Sequence, residues 1–416
     1  MRILERVICF LLICSIPIQL GKHFWPASAF VSGIRVDYLS PTLFFTDILL
    51  FVLLGVLVFN IWRERKIPSR LALLLLCFTL ISFGSFFRSE YQLSFFNAYI
   101  RICGYVCFGY VVSRNMTDYF LKKVMIGLSC VAVLVVFLEL VQFINQGSIG
   151  GIFYWLGERS FSLSTPGIAL FTLDGHLLLR PYATFPHPNV LAWYLFVSLV
   201  CTRYLIFISK TTKQKALFTV GYVLIGIGLL FTFSRVLIFC AFSLLALDAF
   251  SRKKALFVLI CASLFVTFFH SRFISEHIFL DLFERIHFAL PITGLGFDHP
   301  LFGLGLNQYF YYQIEVQHEL SPFFLQPIHN SYLVTFLQTG VLGVGAVTIG
   351  IVLSFRMIFT LKISYERELS FLLFTTLLFA ALFDHYFITL PQGMLLTAFV
   401  AGIVWSPQVR LRSRSW

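Results

Sequence analysis

Charged residues are scarce in this sequence. Asp, Glu, Lys and Arg make up 12% of its 416 residues, and the acidic ones number 19. A soluble globular protein is about one quarter charged. The chain has too little polar material to cover a water-facing surface and too much apolar material to stay unfolded, which excludes a large soluble enzyme and a disordered chain. Also missing is any cysteine in a long polar loop. Cys9, Cys14, Cys77, Cys103, Cys107, Cys130, Cys201, Cys240 and Cys261 all fall in apolar stretches, which argues against a secreted disulfide scaffold and against zinc. Cys103 and Cys107 lie one helical turn apart with no His or acid beside them and read as small core residues. No internal repeat or low-complexity tract is present. Gly294-Leu-Gly296 and Gly303-Leu-Gly305 lack the spacing and strand–helix context of a dinucleotide site.

What is present is apolar. Hydrophobic residues reach 59%, with 51 Phe and 17 Tyr, and the mean hydropathy is +0.88. This composition predicts an all-α, polytopic integral membrane protein. Runs long enough to span a hydrocarbon core begin near Val7, Pro41, Leu71, Ser94, Val124, Pro188, Ala216, Arg235, Ala255, Ser331, Leu369 and Pro391, about twelve spans in one transmembrane domain, 1–416. The basic clusters fall in alternate short loops: Arg2/Arg6, Arg63-Glu-Arg-Lys66, Arg114/Lys122/Lys123, Lys210/Lys213/Lys215, Arg252/Lys253/Lys254, Arg356/Lys362/Arg367 and Arg410/Arg412/Arg414. Positive-inside bias places these loops and both termini in the cytoplasm. The net charge of +12 is then a topology signal, and nucleic acid is not an expected partner.

The stretch from Ala216 to Phe250 is flanked by basic residues on both sides. As one helix it would be about 52 Å long, so it must cross twice and turn near Thr232-Phe-Ser-Arg235. Two long connections fall on the outer side, residues 145–187 and 271–328. Their aromatic content predicts folded, partly re-entrant caps, the second containing an amphipathic helix over 272–285. Ala27-Ser28-Ala29 resembles a signal-peptidase site but lies well past the apolar run, so the first helix is expected to be retained.

Polar chemistry gathers at the outer helix starts, where unpaired N–H groups and the helix dipole present positive charge. His187-Pro188-Asn189, Ser234-Arg235, His329-Asn330-Ser331 and Asp384-His385-Tyr386 all stand there. Caps and interface anchors explain many of them, notably Asn189, Ser331 and Tyr386. The cations ask for more: Arg180, Arg235 and Arg285 share a face that is usually poor in basic residues, and Arg101 lies inside a span. Arginines beside helix N-termini suit a phosphate or diphosphate, and ion pairing with Glu139, Glu158 or Glu284 is the competing reading. His329 precedes a helix whose field favours the neutral imidazole, which can accept a proton.

The segment His329-Asn-Ser-Tyr-Leu-Val-Thr-Phe-Leu-Gln-Thr-Gly340-Val-Leu-Gly343 resembles the His-Asn, nine residues, Gly-x-x-Gly pattern of the bacterial O-antigen ligase family, related to the O-antigen polymerases. Shorter strings along the chain are similar to the same family: Gly33-Ile-Arg-Val-Asp-Tyr-Leu-Ser-Pro41 with Thr46-Asp47, Gly157-Glu-Arg-Ser-Phe161, Arg180-Pro-Tyr-Ala-Thr-Phe-Pro-His-Pro-Asn189, Thr232-Phe-Ser-Arg235 and Pro300-Leu-Phe-Gly-Leu-Gly305. The resemblance implies an inverting glycosyltransferase of the bacterial cytoplasmic membrane, without metal or cofactor and with its site facing the periplasm. It moves a glycan from an undecaprenyl-diphosphate carrier to a hydroxyl of lipid A–core, or of another glycan repeat in a polymerase. His329 would be the catalytic histidine. Arg180, with Arg235 or Arg285 and the intramembrane Arg101, would hold the diphosphate. His187, Asn189, Asn330, Asp384 and His385 would orient the acceptor or the base. A protein O-oligosaccharyltransferase and, more remotely, a transporter of lipid-linked sugars remain open alternatives.

Overall fold

The computed structural model describes residues 2–87, 89–173, 175–251, 277–317 and 325–406. In chain order its helices are α1 (Arg2–Cys14), α2 (Phe45–Glu64), α3 (Ser69–Phe86), α4 (Gln92–Asn115), α5 (Asp118–Asn145), the single turn α6 (Ile152–Trp155), α7 (Pro188–Ile208), α8 (Thr212–Phe231) and α9 (Arg235–Ser251). There follow α10 (His277–Asp298), α11 (Tyr309–Gln317), α12 (Ser331–Phe359), α13 (Tyr365–Ala380), the short α14 (Tyr386–Thr389) and α15 (Pro391–Val404). The chain is therefore mostly helical. Among the described residues seven helices, α2, α3, α4, α5, α7, α8 and α12, are long and apolar enough to cross a membrane. The segment predicted near Ala255 lies outside the described residues.

Several helices begin before the apolar run does, because a polar first turn carries the cap. Thr117 accepts the Phe120 N–H and starts α5 at Asp118, and Ser364 accepts the Arg367 N–H ahead of α13. The span expected near Pro41 instead starts at Phe45. Thr42–Phe44 (β4) pairs antiparallel with Gly21–His23 (β1), and the Asp47 carboxylate accepts the Phe44 N–H at 2.9 Å. The stretch from Ala216 to Phe250 does break, between α8 and α9, with Phe233 at φ +52.

α7 is apolar all round and buried along nearly its whole length. Such a helix belongs at the centre of a bundle, and α5, α8, α13 and α15 pack against it. The periphery is apolar in the opposite direction: α3 turns Leu73, Leu74, Leu76, Leu80 and Phe83 outward, and α8 does the same with Leu217, Val220 and Val223. In water such a belt would be strongly unfavourable, and a bilayer is its natural solvent. α1 joins the core through Ile8, Cys9, Leu12 and Ile13, while Ala27–Ala29 form a 3₁₀ turn with Ala29 buried. One end of the bundle is tied by polar contacts: Glu5 to Arg114 at 2.7 Å, Arg203 to Glu368 at 2.6 Å, and Tyr204 to Glu366 at 3.0 Å. Among the described basic residues, Arg6, Arg114 and Arg203 are held at this end.

Both long connections are folded where described. In the first, α6 and the hairpin Leu170–Leu173 (β5) with His176–Leu179 (β6) are anchored by Gln142, whose side chain accepts the N–H groups of Tyr182 and Ala183. In the second, the helix expected over 272–285 is described from His277 and runs on to Asp298, well past Arg285. The Pro300–Gly305 segment then docks along α12. Leu304 and Gly305 donate to the Leu337 and Gln338 carbonyls, and Val341 and Leu342 donate to Pro300 and Leu301. The docking requires α12 to break at Gly340 (φ +62, ψ −163), where a Cβ would sit 2.4 Å from the Leu301 carbonyl. Gly340 of the His-Asn…Gly-x-x-Gly string thus serves a helix break that receives another segment of the chain.

Candidate functional site

At the end of the bundle away from those polar ties, the N-termini of α7, α12 and α15 meet the linker between α13 and α14. They enclose a cavity of about 290 Å³. Its wall includes His187, His329, Asp384 and His385, together with Arg101, Arg159, His23 and Tyr38. Five of the residues singled out in the sequence therefore share one cavity: His329, His187, Asp384, His385 and Arg101.

Asp384 organises the histidine side. Its Oδ2 accepts from Asn189 Nδ2 at 2.8 Å and its Oδ1 from the His385 N–H at 2.8 Å. Nδ1 of His329 stands 3.5 Å from Oδ1, just beyond good hydrogen-bond geometry, and Nε2 of His385 lies 3.9 Å from the same oxygen. Burial opposes ionisation of this carboxyl. The contact with His329, with His385 beside it, outweighs that and holds Asp384 well below the usual carboxylate range. His187 caps α7 by accepting the Asn189 N–H on Nδ1. Burial, then the neighbouring Arg180, push its pKa down to about 3, so its ring is neutral. The His385 Nδ1 pairs with the Thr389 hydroxyl at 2.6 Å, and its ring meets Tyr38 edge-on.

The backbone locks this arrangement. Ser331 donates its N–H to Ala381 and its hydroxyl to the Asp384 carbonyl at 2.7 Å, fastening the start of α12 to the α13–α14 linker. Asn330 is a cap: its Oδ1 accepts the Tyr332 and Leu333 N–H groups, and its Nδ2 donates to Leu382. It does not line the cavity.

The arginines divide. Arg180 stands behind the cavity, donating from Nε to the Thr232 carbonyl at 3.0 Å and from Nη2 to Asn189 Oδ1 at 2.7 Å. It therefore reaches Asp384 through Asn189. Arg101 faces the cavity and contacts Asp47 Oδ2 at 3.4 Å and the Thr42 carbonyl. Arg235 begins α9 and is exposed, outside the cavity wall. Arg285 falls within α10, and its side chain lies outside the described residues.

Sequence reasoning passed over Arg159, Tyr38 and His23 as site residues. Arg159 lay inside the Gly157-Glu-Arg-Ser-Phe161 string, and Tyr38 inside the Gly33–Pro41 string, so both were within reach as members of quoted motifs. His23 carried no sequence signal beyond its residue type.

His329, Asp384 and His385 are the described side chains whose ligand atoms converge, all within 4.8 Å of one another. Zinc bonds near 2.0–2.1 Å would draw such ligands to about 3.4 Å apart. The observed spacing is wider, and Asp384 and His385 already spend their atoms on Asn189 and Thr389. The geometry fits a carboxylate orienting an imidazole better than a closed metal cage. Comparison with protein-family models and with curated proteins gives no match for this chain.

Proposed function

We propose that this chain is an inverting, metal-independent glycosyltransferase of O-antigen ligase type in the bacterial cytoplasmic membrane. The donor is an undecaprenyl-diphosphate-linked glycan, the acceptor a hydroxyl of lipid A–core, and the cavity opens to the periplasmic face. One observation carries the reading: His329 stands against a buried, ionised Asp384 on the wall of a cavity that also holds cationic groups and three helix N-termini. The His-Asn…Gly-x-x-Gly resemblance supports it, and so does the position of the cavity at the end of the bundle away from the Glu5–Arg114 and Arg203–Glu368 contacts.

In this reaction the acceptor oxygen attacks the anomeric carbon from the face opposite the diphosphate. The C–O bond to phosphate breaks, and its electron pair leaves with undecaprenyl diphosphate. His329 takes the acceptor proton, and Asp384 steadies the imidazolium that forms. The leaving group gains negative charge as the bond breaks, so Arg101 and the helix N-termini stabilise the transition state more than the ground state. Arg180, Arg235 and Arg285 are the further cations that the family resemblance assigns to the diphosphate. Asp384 is held by Asn189 and His385, and Arg180 steadies Asn189 in turn.

The test is a reconstitution in detergent with donor, core lipid and EDTA, the products resolved by gel and mass spectrometry. Glycan on the core lipid despite chelation is the expected result. Laddered growth on the carrier would move the assignment to a polymerase, and transfer to a periplasmic protein to an O-oligosaccharyltransferase. No transfer to any acceptor, with carrier lipid moving across liposomes, would overturn it in favour of transport.

A further inference from the structure

The cavity has a histidine side, built on Asp384, and its wall also includes Arg159 of the first long loop. Three features of that loop fix where Arg159 stands. Glu158 is buried, and its carboxylate is consumed locally: Oε1 accepts from Gln142 Nε2 at 2.6 Å and from the Ile149 N–H at 2.8 Å, and Oε2 accepts from the Gly150 N–H at 2.7 Å. Gly157 adopts φ +94 and presses against the Gln19–Leu20 backbone, where a Cβ would come within 2.3 Å, while the Gln19 N–H donates to the Leu156 carbonyl at 3.1 Å. The loop is thus pinned to the segment that leads from α1 into β1. The guanidinium of Arg159 rests over the Tyr182 ring at 5.5 Å, and that ring contacts His187 in turn.

The charge balance separates Arg159 from other described arginines. Arg35 pairs with Asp37, Arg101 with Asp47, and Arg114 with Glu5. Arg159 makes no ion pair among the described residues, since the adjacent acid is spent on Gln142 and two backbone amides. An exposed guanidinium without an acid, stationed on a rigid loop at the wall of a cavity, is arranged to meet an anion that arrives from outside. Its planar fork suits a phosphate bidentately.

We propose that Arg159 binds a phosphate group of a substrate in the cavity that His329 also lines. The inference rests on the glycosyltransferase reading. The phosphate belongs either to the donor diphosphate or to a phosphorylated acceptor, and the chemistry of recognition is shared. A cation held by a ring face and a pinned loop, rather than by an acid, can grip the phosphate without first breaking an ion pair.

The experiment uses the full chain in nanodiscs with Arg159→Gln and Arg159→Lys, each checked for an unchanged melting temperature. Two readouts are taken. The first is the Kd for undecaprenyl diphosphate without glycan, and the second is the KM for donor and for acceptor, with phosphorylated and dephosphorylated core lipid. The expected result is a rise of about tenfold in the undecaprenyl-diphosphate Kd and in the donor KM for Arg159→Gln, with Arg159→Lys in between. A rise confined to the KM of phosphorylated acceptor, vanishing with the dephosphorylated one, supports the same site with the acceptor as its source. A Kd and both KM values within twofold of wild type in a folded Arg159→Gln protein would overturn the proposal. If wild-type protein binds undecaprenyl diphosphate but transfers to no acceptor, the glycosyltransferase reading fails, and the Kd comparison still decides whether Arg159 binds phosphate.

Discussion

Oδ1 of Asp384 lies 3.5 Å from Nδ1 of His329, and the two residues meet where one helix has just ended and another is about to begin. Ser331 ties these two chain segments together through its N–H and its hydroxyl, so the pair is held by backbone as well as by charge. An ionised carboxylate at this position favours the tautomer with the proton on Nδ1, which leaves Nε2 to accept one. Asp384→Asn removes the charge while keeping the shape. Initial-rate kinetics on the folded variant should show kcat reduced about a hundredfold, with the donor KM changed less than threefold.

Asn189 passes the influence of Arg180 to Asp384, accepting from one and donating to the other. Asn189→Ala should therefore lower kcat about tenfold by loosening the carboxylate. Its effect should largely disappear in an Asp384→Asn background, because the two changes act on one chain of contacts. A double-mutant cycle in kcat measures this coupling directly, and simple additivity would mean that Asn189 acts elsewhere.

Gly340 is the point at which α12 breaks to receive Pro300–Gly305. Its φ and ψ are open almost only to glycine, and a methyl group would collide with the Leu301 carbonyl. Gly340→Ala should cost about 3 kcal/mol or more, read as a fall in melting temperature and in recovery from size-exclusion chromatography. Gly345 has open space around its Cβ position, so Gly345→Ala serves as the control and should leave stability nearly unchanged.

These contacts show what could be read from the sequence and what could not. Apolar runs located the helices, but their starts moved to polar caps such as Thr117 and Ser364, which hydrophobicity does not weigh. The turn at Thr232–Ser234 followed from length alone, because one helix over that stretch would be far longer than a bilayer is thick. His187, His329, Asp384 and His385 were flagged as polar residues at helix ends. Their convergence on one carboxylate depends on α7, α12 and the α13–α14 linker meeting, which no local pattern encodes. Arg180 stands out in the sequence as a cation on the outer face, whereas its contact with Asn189, and through it with Asp384, is a feature of the tertiary structure. The glycines after His329 are visible as a motif, whereas the reason for Gly340, a helix break filled by Pro300–Gly305, belongs to tertiary structure.

His187 is half-buried and neutral, with its pKa pushed down to about 3 against an ordinary value near 6.5. Its unfolded form gains a proton as pH falls below about 6.5 and its folded form does not, so its stability contribution is complete above that pH and is lost progressively toward pH 3. His23, also shifted downward, by burial first, acts in the same direction. Asp384 contributes in a lower window, because its folded pKa is depressed below an ordinary value near 3.9. Melting temperatures between pH 4.5 and 7.5 should therefore decline toward acid in wild-type protein. The decline should be shallower in His187→Gln.

The central claim is that His329 removes the acceptor proton. The most direct test is single-turnover glycan transfer by wild-type and His329→Gln protein, with the Kd for donor lipid measured on the same preparations. The account predicts a rate loss of at least about a hundredfold with donor binding unchanged. Transfer within a few-fold of wild type, at equal donor occupancy, would contradict it.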